Sequence, residues 1–383
     1  MSGVTQVYYV TPSYFPSRAA NSVHVVNMVE GFIQNDYKVN FFFATNLTGF
    51  DELKTHFAAQ YELKLNLNLN LIPFISSQPR FTEFFIGLKA ILKFGRDLFR
   101  RAGPMLIYCR NIYAAFFFCL LTREKVFYET HAVEKGFRLW LQKFILGKHR
   151  ATCVAISKAL RERLIRNVGA VDPKIIVAHD AARLRRDSIE KLAISEPMSL
   201  AYFGHLYEGR GIEIIEKLAE SNEDKFFVVY GGEDEQIAIR RNKNANLDNL
   251  EFAGYINHSE VFKKMLLHHV LLMPYQEKVY VGSYSIMDTA SWMSPMKMFE
   301  YMSARRAIVS SELPVLKEVL KDRHNALLVA PNDINEWNTA IKSLAENSDL
   351  YEGIASRAYE QYLSVYNWKA RVKKIISTAE TVL

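Results

Sequence analysis

Near the start of the chain, hydrophobic residues form short runs typical of strands and, between these runs, recur at a spacing typical of a helix. Two short apolar runs, 6–10 and 38–44, have the length and composition of buried strands, and the first is expected to stop at Thr11-Pro12. Between them, residues 25–32 repeat apolar side chains at helical spacing. A strand, a helix and a second strand in this order form a βαβ unit, which predicts a parallel sheet.

The same alternation continues along the chain and predicts two βα series. A polar stretch, 183–197, interrupts it and is the best boundary between them. Residues 63–71 alternate Leu with polar residues and predict a half-exposed strand. The other predicted strands are 105–109, 125–128, 152–156, 199–203, 226–230, 250–252, 270–273 and 307–310, and the predicted helices of the second series are 211–221, 259–267, 295–304, 313–321 and 333–346.

We therefore predict an α/β protein with two Rossmann-like, doubly wound domains that face each other across a cleft. A chain of 383 residues is long for a single core. The first domain is predicted to comprise residues 1–185 and the second residues 186–365. A last helix, 366–383, is expected to return to the first domain around Trp368. Ligands of such sheets bind at the carboxyl ends of the strands, so residues that directly follow strands are the site candidates.

Composition narrows the class of partner. Hydrophobic residues make up 49% and charged residues 23% of the chain, as in ordinary soluble globular proteins. The formal charge of +7 favours an anionic partner, which includes nucleotide phosphates, an acidic membrane surface and nucleic acid. The three cysteines, Cys109, Cys119 and Cys153, lack metal-ligand spacing and predict buried free thiols. With no signal peptide and no apolar run of membrane-spanning length, we expect a cytoplasmic protein.

Residues 294–301, Ser-Pro-Met-Lys-Met-Phe-Glu-Tyr, carry the strongest chemical signal. Ser294 is a good N-cap and Pro295 a good first helical residue, so a helix is predicted to begin here. The unpaired N–H groups of a helix start suit a phosphate or a diphosphate. Glu300 lies about 7–8 Å further along this helix, which matches the offset between the diphosphate and the ribose hydroxyls of a nucleotide sugar.

A Gly-rich turn, Phe-Gly-His-Leu-Tyr-Glu-Gly-Arg-Gly at 203–211, follows an earlier predicted strand. Its cation, Arg210, could hold the same diphosphate. Lys297 could join it, or could simply pair with Glu300 three residues on. Each segment alone is also compatible with a capped helix and a surface Arg. Both segments in this order favour a site.

Several segments, taken in order, carry a resemblance to a known family. They resemble the retaining glycosyltransferases of family 4, which have the GT-B fold of two Rossmann-like domains. The Ser-Pro-x-Lys-x-x-Glu-Tyr block is the most specific of them, and the resemblance covers nearly the whole chain. The segments are 16–24, 156–164, 204–211, 231–232, 252–255, 294–301, 324–331 and 366–368.

The resemblance implies roles for the residues of the second domain. Glu300 would bind the ribose hydroxyls, and the helix start at Ser294, Pro295 and Met296 would receive the diphosphate. Arg210 would neutralise that diphosphate.

The chain departs from the family pattern at two places. Next to Gly204, which belongs to the donor-binding turn, His205 stands where the family commonly has a second basic residue, and a neutral His would hold phosphate less strongly. The acid that contacts the transferred sugar in many members would fall at Trp292. Asp288 is a nearby candidate to replace it.

In the first domain, His131 matches a family position whose His faces the donor sugar, although a hydrogen-bonded His at a strand end would look the same. The loop before the first helix has Ala19-Ala20 in place of the family's common Gly pair. Asn21 and Ser22 are candidates for donor contacts and equally for an N-cap.

The implied reaction is transfer of a hexose-type sugar from a UDP- or GDP-sugar to a glycan or lipid-linked acceptor, with retention, in bacterial polysaccharide or lipopolysaccharide synthesis. The candidate catalytic residues are Arg210, Lys297 and His131. Front-face attack, with the leaving phosphate accepting the proton, needs no cofactor, no metal and no carboxylate nucleophile. No nucleic acid partner is expected. Two alternatives stay open: an inactive GT-B relative that binds nucleotide or a partner, and a nucleotide-sugar 2-epimerase.

The remaining charged segments give two further expectations. Glu129 and Glu134 are interpreted as surface charges, and no His/Asp cluster has metal spacing. Segment 80–101 is basic, aromatic and amphipathic, and 135–150 is a second such stretch. Segment 80–101 either lies on an anionic membrane or packs its Phe and Leu face on the sheet. The resemblance favours the membrane, because family members often act on lipid-linked acceptors at the cytosolic face.

Overall fold

The structure is a computed structural model that describes residues 5–17, 19–63, 68–76, 81–100, 103–170, 174–185, 189–280 and 288–381. It divides into two compact units. Unit 1 comprises Met1–Asp180 and Trp368–Leu383, and unit 2 comprises Ala181–Asn367. The sequence analysis placed the first division at 185 and began the last helix at 366.

Unit 1 is built on a seven-stranded sheet in which every strand pair is parallel. The strand order is β3-β2-β1-β4-β5-β6-β7. Its elements are β1 (Gln6–Phe15), α1 (Ala20–Ile33), β2 (Lys38–Thr45), α2 (Phe50–Tyr61), β3 (Leu69–Ile75), α3 (Thr82–Phe99), β4 (Met105–Cys109), α4 (Ile112–Leu121), β5 (Val126–Thr130), α5 (Gly136–Gly147), β6 (Ala151–Ala155), α6 (Lys158–Val168), β7 (Ile175–Val177) and the last helix, α13 (Trp368–Thr381).

Unit 2 contains a six-stranded sheet, again with parallel pairs only, in the order β10-β9-β8-β11-β12-β13. Its elements are β8 (Ser199–Phe203), α7 (Ile212–Ser221), β9 (Phe226–Tyr230), α8 (Asp234–Lys243), β10 (Leu250–Gly254), α9 (His258–Met265), β11 (Val270–Met273), α10 (Met296–Ser303), β12 (Ala307–Ser311), β13 (Leu327–Val329), α11 (Ile334–Glu346) and α12 (Ser348–Ser364).

Both units are therefore Rossmann-like α/β domains with parallel sheets, which confirms the predicted fold class. Strand order reverses between β1 and β4 in unit 1 and between β8 and β11 in unit 2. A crevice opens at the carboxyl ends of the strands at such a reversal, and ligands bind there. The central strands are buried on both faces, as in β1, where Val7 and Val10 are fully inaccessible.

Several predicted elements differ from the observed ones. Strand β1 continues through Pro12 to Phe15, because a register shift between Val10 and Tyr14 leaves Pro12 outside the ladder, where its missing N–H costs no hydrogen bond. The predicted strand 63–71 is wrong in position: β3 is Leu69–Ile75, and 64–67 lie outside the described residues. The predicted helix 313–321 is only a short 3-10 turn, Leu316–Glu318. Strands β7 and β13 were not predicted, because three-residue strands carry too little pattern.

Helix α13 packs against α1 within unit 1. A side chain at Gly31 of α1 would place its Cβ 2.8 Å from the carbonyl oxygen of Trp368, so only glycine permits this approach. The side-chain amide of Asn35 donates to the carbonyl of Lys369 across the same contact, at 3.0 Å. The three cysteines of unit 1 are buried free thiols, as predicted.

Candidate functional site

In unit 2, the candidate residues gather at the carboxyl ends of β8 and β11, where the strand order reverses. Gly204 directly follows β8, and Tyr275 lies two residues after β11. Gly211 on the turn after β8 has φ 77°, and a Cβ there would lie 1.8 Å from the carbonyl oxygen of Pro274. The Gly-rich turn therefore lies directly against the chain that leaves β11.

Helix α10 is fixed against the end of β8. The hydroxyl of Tyr301 accepts a hydrogen bond from the N–H of Phe203 at 2.9 Å. One turn earlier on the same helix, Lys297 reaches Gly204, where a Cβ would lie 2.8 Å from its Nζ. Tyr301 thus positions the helix that carries Lys297 and Glu300.

The ammonium group of Lys297 is buried and has no hydrogen-bond partner among the described residues. It lies 3.8 Å from the ring centroid of Tyr202 and 5.0 Å from that of Tyr275. Burial, together with the nearby Arg210 guanidinium, holds the pKa of Lys297 well below its usual value. The sequence also allowed Lys297 to pair with Glu300, but this ion pair does not form.

Arg210 also contacts Tyr275. Its guanidinium donates to the hydroxyl of Tyr275 at 3.0 Å and to the carbonyl of Tyr280 at 3.3 Å. Its Nε is buried without a hydrogen-bond partner, and no acidic group pairs with it in the described part of the chain. Unit 2 thus holds two cations beside one tyrosine, neither of them neutralised by a carboxylate.

The start of α10 differs from the prediction. Pro295, not Ser294, occupies the N-cap position, because its extended backbone (ψ 118°) precedes the helix and its carbonyl accepts the first helical hydrogen bond, from Met298 at 3.0 Å. Ser294 therefore lies one residue outside the helix and is buried. Met296 is the first helical residue, and the N–H groups of a first turn have no partners within their helix.

Glu300 lies half-buried on α10, and its carboxylate makes no hydrogen bond with any described residue. Its charge acts on Lys297 and on Tyr275 without direct contact. His205 is exposed and stacks on Tyr207, with ring centroids 4.7 Å apart.

Asp288 accepts hydrogen bonds from the N–H groups of Val279 and Ala290, each at 2.9 Å. Its carboxylate thus links the backbone at Val279 to the backbone at Ala290. Residues 281–287, which lie between Val279 and Asp288, are outside the described residues.

In unit 1, Glu129 at the end of β5 is fully buried, so its interpretation as a surface charge is wrong. Its carboxylate accepts from Arg371 of α13 at 3.2 and 3.3 Å and from the hydroxyl of Tyr108. The Nε2 atom of His131 lies 2.9 Å from the same carboxylate. Burial alone would raise the pKa of Glu129, but Arg371 and the neighbouring histidines lower it well below its usual value.

His24 of α1 extends this buried cluster. Its Nε2 lies 2.8 Å from Glu129, and its Nδ1 lies 3.1 Å from the carboxylate of Asp180. Burial, reinforced by the positive charge of Arg110, lowers the pKa of His131 to about 4, so this imidazole is neutral near pH 7 and its Nε2–H donates to Glu129.

The sequence shows no His/Asp cluster with metal spacing, but the fold brings three side chains of metal-ligating type together. Ligand atoms of His24, Glu129 and His131 lie within 4.8 Å of one another. These residues come from different elements, so sequence spacing does not reveal them. Because the guanidinium of Arg371 already hydrogen-bonds both oxygens of Glu129, the cluster does not fit a divalent cation.

Neither Asn21 nor Ser22 caps α1. The helix begins at Ala20, the N-cap is Ala19, and no side chain caps it. Asn21 lies in the first turn and donates from Nδ2 to the hydroxyl of Ser13 at 2.8 Å, whereas Ser22 is buried.

Comparison with known proteins agrees with this architecture. Residues 199–347, which include Arg210, Lys297 and Glu300, match the family model described as Glycosyl transferases group 1. An uncharacterized glycosyltransferase of Methanocaldococcus jannaschii is 24% identical over 233 residues, which cover 58% of this chain and 56% of the relative.

Two solved structures share the fold over nearly their whole length. A sucrose-phosphate synthase from Thermosynechococcus elongatus has a TM-score of 0.71 at 14% identity and covers 99% of each chain. Anabaena HepE in complex with UDP has a TM-score of 0.67 at 12% identity, covering 99% of this chain and 100% of HepE. The chain therefore has the GT-B fold, and the part of its second unit that carries the candidate residues is similar to the group 1 glycosyltransferases.

Proposed function

We propose that this protein is a retaining glycosyltransferase that moves a hexose-type sugar from a UDP- or GDP-sugar to a glycan or lipid-linked acceptor. The fold and the match at 199–347 support the class of enzyme, and the UDP bound to HepE supports the class of donor. A role in bacterial surface polysaccharide synthesis is part of the proposal.

The observation that carries the proposal is the pair of unneutralised cations in unit 2. A buried ammonium without a partner is costly, and Lys297 is one. Arg210 lies close enough to lower the pKa of Lys297 further. A diphosphate between these two groups would supply the charge that both lack. The missing side chain of Gly204 allows Lys297 to approach the backbone here.

In the proposed mechanism, the barrier is the departure of the nucleoside diphosphate from an oxocarbenium-like sugar. Arg210 and Lys297 stabilise the charge that grows on the leaving phosphate, and the first N–H groups of α10 face the same group. Glu300, whose carboxylate has no protein partner among the described residues, accepts hydrogen bonds from the ribose hydroxyls.

In the proposed reaction, His131 faces the sugar that is transferred. As a neutral imidazole held by Glu129, it presents a fixed tautomer rather than a positive charge. The attacking hydroxyl loses its proton to the leaving phosphate, so no protein carboxylate acts as nucleophile and no metal is required by the proposal.

The direct test is release of nucleoside diphosphate from UDP- and GDP-sugars, with and without candidate acceptors. Wild-type protein should consume one donor selectively. Arg210→Ala should reduce this turnover about 100-fold or more, as loss of other electrostatic stabilisers does, while its circular dichroism stays unchanged. Unchanged turnover in that variant would remove Arg210 from the mechanism. Selective binding without turnover by the wild type would instead favour the inactive relative, and 2-epimerisation of the donor would show directly as a changed sugar.

A further inference from the structure

Helix α3 of unit 1 has two apolar faces, and only one of them is covered by the protein. Ile86, Ala90 and Phe94 pack into the unit and are buried. A second stripe at helical spacing remains exposed, and it includes Leu92 at 67% and Phe99 at 90% exposure. One face of α3 therefore packs into the unit, as one of the two interpretations of segment 80–101 expected, and the other face is exposed. Residues 80 and 101 themselves lie outside the described residues.

This exposed face continues over two neighbouring helices. The ring of Phe84 contacts that of Phe117 on α4, with centroids 5.4 Å apart, and Phe116 contacts Trp140 on α5 at 5.8 Å. Together they form one aromatic surface that encloses a cavity of about 810 Å³. Of the eighteen exposed large hydrophobic side chains in the described part of the chain, eleven lie on this surface or at the ends of its helices. They are Phe81, Phe84, Phe85, Leu88, Leu92, Leu98, Phe99, Leu120, Leu121, Phe137 and Trp140.

The charge of the same helices is strongly positive. Residues 81–100 and 135–150 contain nine basic and two acidic residues, so they carry +7, which equals the formal charge of the entire chain. The two acids are neutralised locally: Asp97 pairs with Lys93 at 2.7 Å, and Glu83 pairs with Arg138 at 2.5 Å. Exposed cations such as Arg96 and Lys143 therefore remain beside the apolar surface.

We propose that this aromatic surface of α3, α4 and α5 docks on an anionic phospholipid bilayer. Aromatic and aliphatic side chains enter the headgroup boundary, and the flanking Lys and Arg side chains bind lipid phosphates. A second copy of this chain is a poorer occupant, because it would bring two strongly positive surfaces together. No described helix is both long and apolar enough to cross a membrane. This inference rests on the surface of unit 1 and does not depend on the proposed reaction.

The test is flotation of the purified protein with phosphatidylcholine vesicles that either contain or lack phosphatidylglycerol. The wild type should float with the anionic vesicles and dissociate as salt is raised. The triple variant Leu92→Ser, Phe99→Ser and Trp140→Ser should lose at least about tenfold in partitioning, because it removes three exposed apolar anchors. The double variant Arg96→Glu and Lys143→Glu should lose binding to anionic vesicles by a similar factor.

The matched control is Ile239→Ser with Leu267→Ser, which removes exposed apolar side chains from unit 2 and should float as the wild type does. The fluorescence should shift to the blue on vesicle binding, because Trp140 is exposed. Trp292 is half-buried, and Trp337 and Trp368 are buried, so the shift should be lost in the triple variant. Equal flotation of the wild type and the triple variant would overturn the proposal. So would a dimer in light scattering that the triple variant abolishes, combined with no vesicle binding, because the surface would then be a contact between copies.

Discussion

Arg371, on the last helix of the chain, donates to both oxygens of Glu129 at the end of strand β5, at 3.2 and 3.3 Å. Both side chains are almost fully buried. The guanidinium also donates to the carbonyls of Ala178 and His179, at 3.1 and 2.8 Å, so it connects α13 to the segment after β7 as well as to β5. This ion pair connects the last helix to Glu129, whose carboxylate also hydrogen-bonds His131.

Removing Arg371 should destabilise unit 1 strongly. Arg371→Met leaves the buried carboxylate of Glu129 without its main counter-charge, which costs about 3–5 kcal/mol. Urea unfolding followed by circular dichroism measures the loss. Lys373→Met, an exposed substitution on the same helix, is the control and should change stability by less than about 0.5 kcal/mol. Addition of Glu129→Gln to Arg371→Met should recover part of the loss, and a further additive loss would contradict the pairing.

Stability should decrease as the pH falls from about 7 to about 5, partly because of His131. The pKa of His131 is about 4 in the folded protein, below its ordinary value of 6.5. Between these two pH values the unfolded state binds a proton that the folded state does not bind, and this stabilises the unfolded state. The contribution of Glu129 is different, since its lowered pKa means that its stabilisation is lost only below its ordinary value of 4.5. The variant His131→Gln should show a shallower dependence of the urea midpoint on pH than the wild type. The same slope in both proteins would contradict the assignment of this dependence to His131.

Replacing Lys297 should increase the stability of the ligand-free protein and weaken its binding of nucleoside diphosphate. Lys297→Met removes a buried, unpartnered ammonium and retains most of its volume, so the ligand-free protein should gain about 1 kcal/mol or more in stability. The same variant should bind nucleoside diphosphate at least about tenfold more weakly, because a charged hydrogen bond is lost. Lys263→Met, on an exposed position of α9, should change neither quantity. A variant that is less stable but binds equally well would mean that Lys297 is a structural residue.

Binding of the diphosphate should raise the pKa of Lys297, so binding should be coupled to proton uptake at any pH between the pKa of the free and the bound protein. Burial and Arg210 hold the pKa of Lys297 well below its ordinary value of 10.5 in the free protein, and a bound anion would raise it again. Calorimetric titrations in buffers of different ionisation enthalpy measure the number of protons exchanged. Uptake that disappears in Lys297→Met would assign the proton to this group, and uptake that persists there would assign it elsewhere.

Replacing Glu300 should weaken the binding of a nucleotide but not the binding of pyrophosphate. Glu300→Gln keeps the side-chain volume but removes the charged acceptor, so it should weaken UDP or GDP by about tenfold or more while leaving inorganic pyrophosphate unaffected. Glu346→Gln, an exposed change elsewhere in unit 2, is its control. Equal weakening of pyrophosphate would contradict a contact to the ribose.

The sequence predicted the two α/β domains because long alternations of strand and helix patterns are strong signals, and strands such as Met105–Cys109 and Ser199–Phe203 were predicted to the residue. It did not predict the buried cluster around Glu129. Asp180 and Arg371 lie far from Glu129 along the chain, and no spacing rule connects them. The roles of Tyr202 and Tyr275 beside Lys297 were missed for the same reason. Residues within one motif, such as Lys297 and Glu300, could be grouped from the sequence because a helix places residues at this spacing on the same side.

The central claim is that Arg210 and Lys297 hold the diphosphate of a sugar donor. Its most direct test is calorimetric titration of UDP and GDP into wild-type protein, Arg210→Ala and Lys297→Met. We expect one nucleotide to bind the wild type, and both variants to bind it at least about tenfold more weakly while remaining folded. Binding of equal affinity in all three proteins, or no binding of either nucleotide to the wild type, would contradict the account.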